Sequence, residues 1–149
     1  MVKTTKRPSG TVSLPKVIPA KKTALKPAKI NDQSKQLADL IVSGMQEKKG
    51  QDIVSLDLRN LKNAVADYFV ICHAESRPQI EALARSVEEV VERGSDDKPY
   101  HLEGLENAEW ILIDYVNVVA HIFNHEKRDF YGLERLCADA DIRRIAGNY

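Results

Sequence analysis

An unbroken apolar run from Tyr68 to Cys72 constrains the fold of this chain more than any other feature. Successive side chains of a β-strand point to opposite faces of its sheet, so a strand without a polar position needs cover on both faces. Strands of this kind lie in the middle of sheets that carry helices. The run therefore predicts a central strand in an α/β domain.

A helix and a partner strand are predicted before this central strand. Apolar residues recur at helical spacing from about Gln33 to Lys48, after possible N-caps at Asn31 and Asp32 and before a stop signal at Gly50. The apolar residues from Ile53 to Leu58 then mark a strand. Only a short polar connection follows, so we expect this strand to pair with the central one.

A second helix follows the central strand and has clear end signals. Ser76 and Gln79 have capping-box spacing, and Pro78 falls in the first turn, where its missing N–H costs little. Gly94 fits the left-handed position that ends a helix. The order strand, helix, strand predicts a right-handed crossover. We therefore expect the next strand, which would include Tyr100 to Leu102, to be a parallel neighbour of the central one.

The residues from Trp110 to Phe123 are too many for one strand and predict two strands joined by a bend. The bend is expected between Asp114 and Asn117, with Asn117 the residue that best tolerates a positive φ. Side chains alternate after the bend, which predicts a strand whose second face carries the polar residue His121.

A third helix is predicted from about Asp129, with Phe130, Leu133 and Cys137 on one side and Phe130 in the core. The complete order is then α-β-β-α-β-β-β-α, with no internal repeat. A chain of 149 residues with this order fits one small domain, residues 32–149, that has a mixed β-sheet covered by helices.

Residues 1–31 differ from the rest of the chain in charge and composition. They hold eight of the 22 basic residues and four of the six prolines, but no acidic or aromatic residue. Such a segment cannot bury enough apolar area to offset the entropy of ordering, so we expect a disordered basic tail. The other 14 basic residues and all 22 acidic ones give the domain a formal charge of −8. Nucleic acid is the natural partner of the tail, and a solvated tail without a role is the alternative.

No segment suits a membrane or a secretion signal. The apolar run from Ile111 to Phe123 is too short and too polar to span a bilayer, and Val17-Ile18 is no signal-peptide core. The tail is rich in Lys rather than Arg, which disfavours an organelle transit peptide but leaves an organelle protein open. Cys72 and Cys137 cannot build a disulfide framework. We expect a protein of the cytoplasm, most simply a bacterial one.

Neither a metal site, a cofactor site nor a catalytic site is indicated. His121 and His125 are expected on a strand or its end, where four residues span about 13 Å, and His73 has no recognised ligand spacing. Cys72 lies in an apolar strand, as a structural thiol would. Asp114 has no second acid two residues further on, so the metal-binding acid pair of nucleotidyl transferases is missing. No phosphate-binding glycine loop occurs.

Six segments together resemble the ribosomal silencing factor (Iojap) family. The likeness covers about residues 33–140, and the segments follow one another in the right order and spacing. The segments are Asp67-Tyr68-Phe69-Val70-Ile71-Cys72, Ser76-Arg77, Glu103-Gly104, Trp110-Ile111-Leu112-Ile113-Asp114-Tyr115, Val118-Val119-Ala120-His121-Ile122-Phe123 and Phe130-Tyr131-Gly132-Leu133-Glu134-Arg135-Leu136. The resemblance implies a nucleotidyl-transferase-like fold without the active site.

The resemblance also implies a function that needs no chemistry. The factor would bind ribosomal protein L-fourteen on the large ribosomal subunit, block joining of the small subunit and so repress translation. It could also form a homodimer. The family's contact region corresponds here to Trp110, Asp114, Tyr115, His121 and Tyr131.

Roles follow for these residues as hypotheses. Trp110, Tyr115 and Tyr131 would be partly exposed anchors, and His121 would give a directional hydrogen bond. Asp114 and Glu134 would meet basic residues of the partner. The tail lysines that could contact rRNA are Lys16, Lys21, Lys22, Lys26 and Lys29.

Three sites depart from the family pattern. Val116 and Asn117 stand where the family usually has Gly and Asp, Cys137 replaces a tryptophan, and His73-Ala74 replaces Thr-Gly. These departures affect the geometry of the contact more than its location. Two other functions stay open on sequence alone: a nucleotidyl-transferase-like or nucleotide-binding enzyme, and a plain RNA-binding module in which the tail does most of the binding.

Overall fold

The computed structural model describes residues 32–146, so the predicted tail over residues 1–31 lies outside the described residues. In chain order the elements are α1 (Gln33–Glu47), β1 (Gln51–Asp57), β2 (Tyr68–Ala74), α2 (Arg77–Ser95), β3 (His101–Glu103), β4 (Trp110–Asp114), β5 (Val118–Asn124), α3 (His125–Tyr131), α4 (Leu133–Leu136) and β6 (Asp141–Arg144). None of the helices in this part of the chain has both the length and the hydropathy to cross a bilayer.

The six strands form one mixed sheet in the order β3-β4-β5-β2-β1-β6. β2 and β5 run parallel, from Tyr68 opposite Val118 to Ala74 opposite Asn124. All other neighbouring strands are antiparallel. Every residue of β2 is buried. The predicted central strand, its pairing with the preceding strand and the mixed sheet covered by helices are therefore confirmed.

Helices α1 and α2 pack together on one face of the sheet and run antiparallel. A Cβ at Gly44 would stand 2.8 Å from the Cα of Val87, so this close approach needs glycine. Ser86 Oγ donates to the carbonyl of Gly44 at 2.7 Å. Leu40 lies against Gly94. The first turn of α1 therefore lies beside the last turn of α2.

The predicted starts of both helices are confirmed. Asp32 caps α1 by accepting from a backbone N–H, and Ser76 Oγ accepts from the backbone N–H of Gln79 at 3.3 Å. Only half of the capping box forms at α2. The side chain of Gln79 donates instead to the carbonyl of Lys48 at 3.2 Å, where it satisfies an end group of α1.

The predicted end of α2 at Gly94 is wrong. The helix continues to Ser95, and Asp96 takes the left-handed conformation with φ 64°. Gly94 has a packing role instead, because a Cβ there would lie 2.6 Å from a methyl group of Leu40.

The prediction that the strand after α2 is the parallel neighbour of β2 is wrong. β3 lies at the edge of the sheet, and the parallel neighbour of β2 is β5. β3 has only three residues and none is fully buried, which suits an edge. β5 is buried at six of seven positions and needs an interior place. Tyr100 precedes β3 rather than belonging to it.

The bend between β4 and β5 lies where predicted, but Val116 rather than Asn117 has the positive φ, at 77°. Asp114 Oδ1 accepts from the backbone N–H of Val116 at 2.7 Å and stabilises this conformation. The carbonyl of Asn117 accepts from the N–H of Asp67 at 2.7 Å, which ties Asn117 to the start of β2.

The prediction for the third helix starts it too late in the chain and extends it too far. α3 begins at His125, and Gly132, with φ 56°, separates it from the short α4. This break ends the helical period, so the predicted core position of Phe130 is wrong: its side chain is 73% exposed. The edge strand β6 was not predicted, because its residues alternate neither in hydropathy nor in burial.

Replacing Val116 by glycine should raise the free energy of unfolding by about 1 kcal/mol, because glycine adopts a positive φ without the clash of a β-branched side chain. Urea unfolding followed by circular dichroism measures this change. Val65→Gly is the matched control, since Val65 is half-buried and lies outside the left-handed region. That replacement should lower stability. A Val116→Gly variant less stable than the wild type would contradict the strain assigned here.

Candidate partner-binding surface

Three of the predicted site residues come together on the sheet face opposite α1 and α2. The indole ring of Trp110 packs on Phe123, at 4.9 Å between ring centroids, and on Tyr131, at 4.7 Å. Trp110 Nε1 donates to His121 Nδ1 at 3.0 Å. Trp110 and Tyr131 are half-buried, as expected for partly exposed anchors.

His121 lies beneath Trp110 and does not reach the surface. Its side chain is 1% exposed, and Phe69 meets the imidazole edge-on at 4.6 Å. Burial lowers the pKa of His121 to about 3, so the ring is neutral. Nδ1 accepts from Trp110, so Nε2 carries the hydrogen. The expected hydrogen bond from His121 to a partner is therefore wrong for this arrangement, and His121 instead orients the indole.

Asp114 and Tyr115 lie at the other end of β4 from Trp110, about 13 Å along the strand. Tyr115 is only 8% exposed and belongs to the core on the α1–α2 side, so its expected exposure is wrong. Asp114 is buried and holds the bend after β4. The structure therefore does not bring these two residues to the surface of Trp110 and Tyr131.

Two exposed apolar residues, one in contact with Tyr131 and one on α4, were not predicted to lie at the surface. Phe130 contacts Tyr131 edge-on at 5.1 Å between centroids, and Leu136 on α4 is 73% exposed. We call Trp110, Phe130 and Tyr131 the aromatic face. The sequence signal for Phe130 was present in Gly132, a residue suited to ending α3 directly after Tyr131.

A buried arginine fixes α3 against the sheet. Arg128 makes two hydrogen bonds to the carboxylate of Glu134, at 3.1 and 2.8 Å, and further ones to the carbonyl of Gln51 and to His73 Nδ1. The Arg128 guanidinium holds the pKa of Glu134 below its usual range. Glu134 thus pairs within the domain, contrary to the expectation that it meets a partner.

His73, Glu75 and His125 form a cluster that the sequence did not reveal. Their potential ligand atoms lie within 4.8 Å of one another, because β2 and β5 end side by side. A metal-ligating histidine usually donates its other N–H to an acceptor. His73 instead accepts from Arg128 at 2.9 Å, and burial and this cation lower the pKa of His73. The arrangement does not suit a metal ion.

Cys72 is fully buried, and burial raises the pKa of its thiol to about 12. A thiol in this state is a poor nucleophile at neutral pH. The five candidate rRNA-contact lysines, Lys16, Lys21, Lys22, Lys26 and Lys29, lie outside the described residues.

Comparison with known proteins decides the family. The model of the family "Ribosomal silencing factor during starvation" matches residues 31–147. The chain belongs to this family. It is 36% identical over 115 residues to ribosomal silencing factor RsfS of Halalkalibacterium halodurans, covering 76% of this chain and 96% of that protein. It is 30% identical over 106 residues to the chloroplastic protein Iojap of Zea mays, covering 67% of this chain and 42% of that protein.

Solved structures agree with the ribosomal silencing factor fold. A crystal structure of protein CV0518 from Chromobacterium violaceum matches with a TM-score of 0.66 at 27% identity, covering 76% of this chain and 92% of that one. The match to the family begins at residue 31, so residues 1–30 lie outside it.

Stability should depend on pH through His121. The unfolded state binds a proton near pH 6.5 and the folded state only near pH 3, so stability falls as pH drops below about 6.5, by roughly 1 kcal/mol per pH unit. Urea unfolding at pH 7, 6 and 5 measures the slope. His121→Phe should flatten it, whereas His101→Gln, at an exposed histidine on β3, should not. Equal slopes in the wild type and His121→Phe would contradict this account.

Proposed function

We propose that this chain binds ribosomal protein L-fourteen on the large ribosomal subunit and blocks joining of the small subunit. Translation would be repressed by steric exclusion, without catalysis or a cofactor. The observation that carries the proposal is the aromatic face in a member of the ribosomal silencing factor family. Half-buried Trp110 and Tyr131 and exposed Phe130 form a run of contacting rings on the outside of the domain.

The structure of the aromatic face supports a role as a binding anchor. Aromatic residues are enriched among the anchors of protein interfaces because they bury a large area at low entropic cost. His121 fixes the indole of Trp110 from below, and Arg128 fixes α3 from the side. The rings are therefore held in place before a partner arrives, which lowers the entropy lost on binding.

The charge of the domain supports a basic partner. Residues 32–149 have a formal charge of −8, and ribosomal proteins that contact rRNA are typically basic. The proposal extends to contact of the tail lysines with rRNA, to a possible homodimer and to a cytoplasmic location. Asp114 and Tyr115 stay predicted members of the binding region and would act from buried positions.

Loss of an aromatic ring should weaken binding without unfolding the domain. Phe130→Ala and Tyr131→Ala should each lower affinity for purified large subunits by roughly thirtyfold, as expected for about 2 kcal/mol at an anchor. Co-sedimentation over a range of subunit concentrations measures this, and circular dichroism checks the fold. Tyr100→Ala is the matched control, since Tyr100 is 76% exposed and precedes the edge strand β3.

The same variants test separately whether L-fourteen is the partner and whether the aromatic face is the binding site. Binding of the wild type to isolated L-fourteen, lost in Tyr131→Ala and kept in Tyr100→Ala, is the expected result. Full binding to large subunits by both folded variants would place the contact elsewhere on the domain. Binding to large subunits but not to isolated L-fourteen would refute the partner.

A further inference from the structure

The hydrogen bonds of Arg128 are of two kinds. Two of them, at 3.1 and 2.8 Å, go to the carboxylate of Glu134 on α4, so they stay within the pair of helices α3 and α4. The other two reach the sheet. The carbonyl of Gln51 on β1 accepts at 3.3 Å, and Nδ1 of His73 on β2 accepts at 2.9 Å. His73 therefore makes the shorter of the two contacts between this cation and the sheet.

The contact with Arg128 fixes the charge of His73. A guanidinium group has N–H donors and no acceptor, so Nδ1 of His73 must be the acceptor and carries no hydrogen. The hydrogen of the neutral ring then lies on Nε2. A protonated His73 would have a hydrogen on both nitrogens, and both side chains are buried. Protonation would therefore replace a hydrogen bond by repulsion between two buried cations.

Charged and titratable groups face His73 from the elements around it. The ring of His125, at the start of α3, lies 4.7 Å from that of His73 between centroids, and a carboxylate oxygen of Glu75 lies 3.8 Å from His125 Nδ1. Burial lowers the pKa of His73, and the charges of Arg128 and His125 lower it further. Asp52 on β1 and Glu75 act in the opposite direction. The neutral ring, and with it the hydrogen bond, is therefore the form present at neutral pH.

Arg128 lies in the helix that carries two rings of the aromatic face. Phe130 and Tyr131 follow it in α3, and Tyr131 contacts Trp110 on β4. Of the residues described in α3, Arg128 alone is buried, and Phe130 is 73% exposed. The position of α3 therefore depends strongly on the polar contacts of Arg128 rather than on apolar packing by this helix.

We propose that His73 is a positioning residue for the aromatic face: as a neutral acceptor it holds Arg128 and α3 against the sheet, and on protonation it releases them. The aromatic face is then in its binding position at neutral pH and displaced at acidic pH. The effect on large-subunit binding rests on the proposed function, whereas the release of α3 is a property of the free domain.

NMR of the full-length protein between pH 7.5 and 4.5 measures the release of α3. The imidazole nitrogens of His73 should show a neutral ring with an unprotonated Nδ1 at pH 7.5. Amide shifts of residues 125–136 should change as this ring titrates, with the same midpoint. His121 does not interfere, because its pKa of about 3 keeps it neutral in the folded protein over this range.

Four variants separate the acceptor from the charge. His73→Gln keeps an acceptor for Arg128 but cannot titrate, so α3 should stay in place throughout the series. His125→Gln removes a charge that opposes protonation of His73 and should move the midpoint to higher pH. Glu75→Gln removes a charge that favours it and should move the midpoint to lower pH. His101→Gln, at an exposed histidine on β3, is the matched control and should leave the midpoint unchanged.

Co-sedimentation with purified large subunits measures the consequence for the binding surface. The wild type and His73→Gln should bind alike at pH 7.5. Between pH 7.5 and 5.0 the wild type should lose at least about fivefold more affinity than His73→Gln, the loss expected for one hydrogen bond. Circular dichroism at each pH checks that both proteins are folded.

The proposal can fail in the free domain or in binding. A protonated His73 at pH 7.5, shifts of residues 125–136 that do not follow its titration, or the same shifts in His73→Gln would overturn it. So would an equal loss of affinity in the wild type and His73→Gln. Release of α3 with the titration of His73, in a protein that binds large subunits at no pH, would support the role of His73 in holding α3 and refute the proposed function instead.

Discussion

Strands β2 and β5 pair in parallel along seven residues, and both are buried on both faces. Two parallel strands need a crossover connection between them and other elements packed on both sheet faces. The rest of the chain must therefore supply that connection and those covering elements. α2 covers one face after β2, and β4 returns antiparallel beside β5. The carboxyl ends of β2 and β5 then lie together. His73 and His125 meet there, and Arg128 joins α3 to β1 and β2.

The two sheet faces are covered unequally, and this inequality produces the binding surface. α1 and α2 cover one face with a close helix contact at Gly44. The other face is covered by α3, α4 and the connection after β1, so Trp110 and Tyr131 stay half-buried at its edge. His121 Nδ1 receives the Trp110 N–H, which offsets part of the cost of burying this ring, whereas its buried Nε2 has no hydrogen-bond partner among the described residues. A polar pair in the core thus holds a ring that is available to a partner.

The sequence predicted the elements and the family better than it predicted individual exposures. The apolar run of β2 and the caps at Asp32 and Ser76 are local signals, and the structure confirms each of these predictions. Strand order was misjudged because hydropathy does not say that β5 rather than β3 lies next to β2. Phe130 was placed in the core because its helical period was counted through Gly132.

The sequence predicted only some members of the binding surface correctly. Three predicted site residues lie together. The register of β4 and β5 brings Trp110 close to His121, and the end of α3 places Tyr131 against Trp110. Tyr115 has the residue type of an anchor, but strand alternation and the turn at Val116 send it to the core on the α1–α2 side. Burial of this kind depends on contacts between distant segments, which a single sequence does not show.

The central claim, that the face carrying α3 and α4 is the one that meets the ribosome, can be tested by hydrogen–deuterium exchange of the protein bound to large subunits. Our account predicts slower exchange in residues 125–136 and near Trp110, with α1 and α2 unchanged. Slower exchange confined to α1 and α2, with residues 125–136 exchanging as in the free protein, would contradict it.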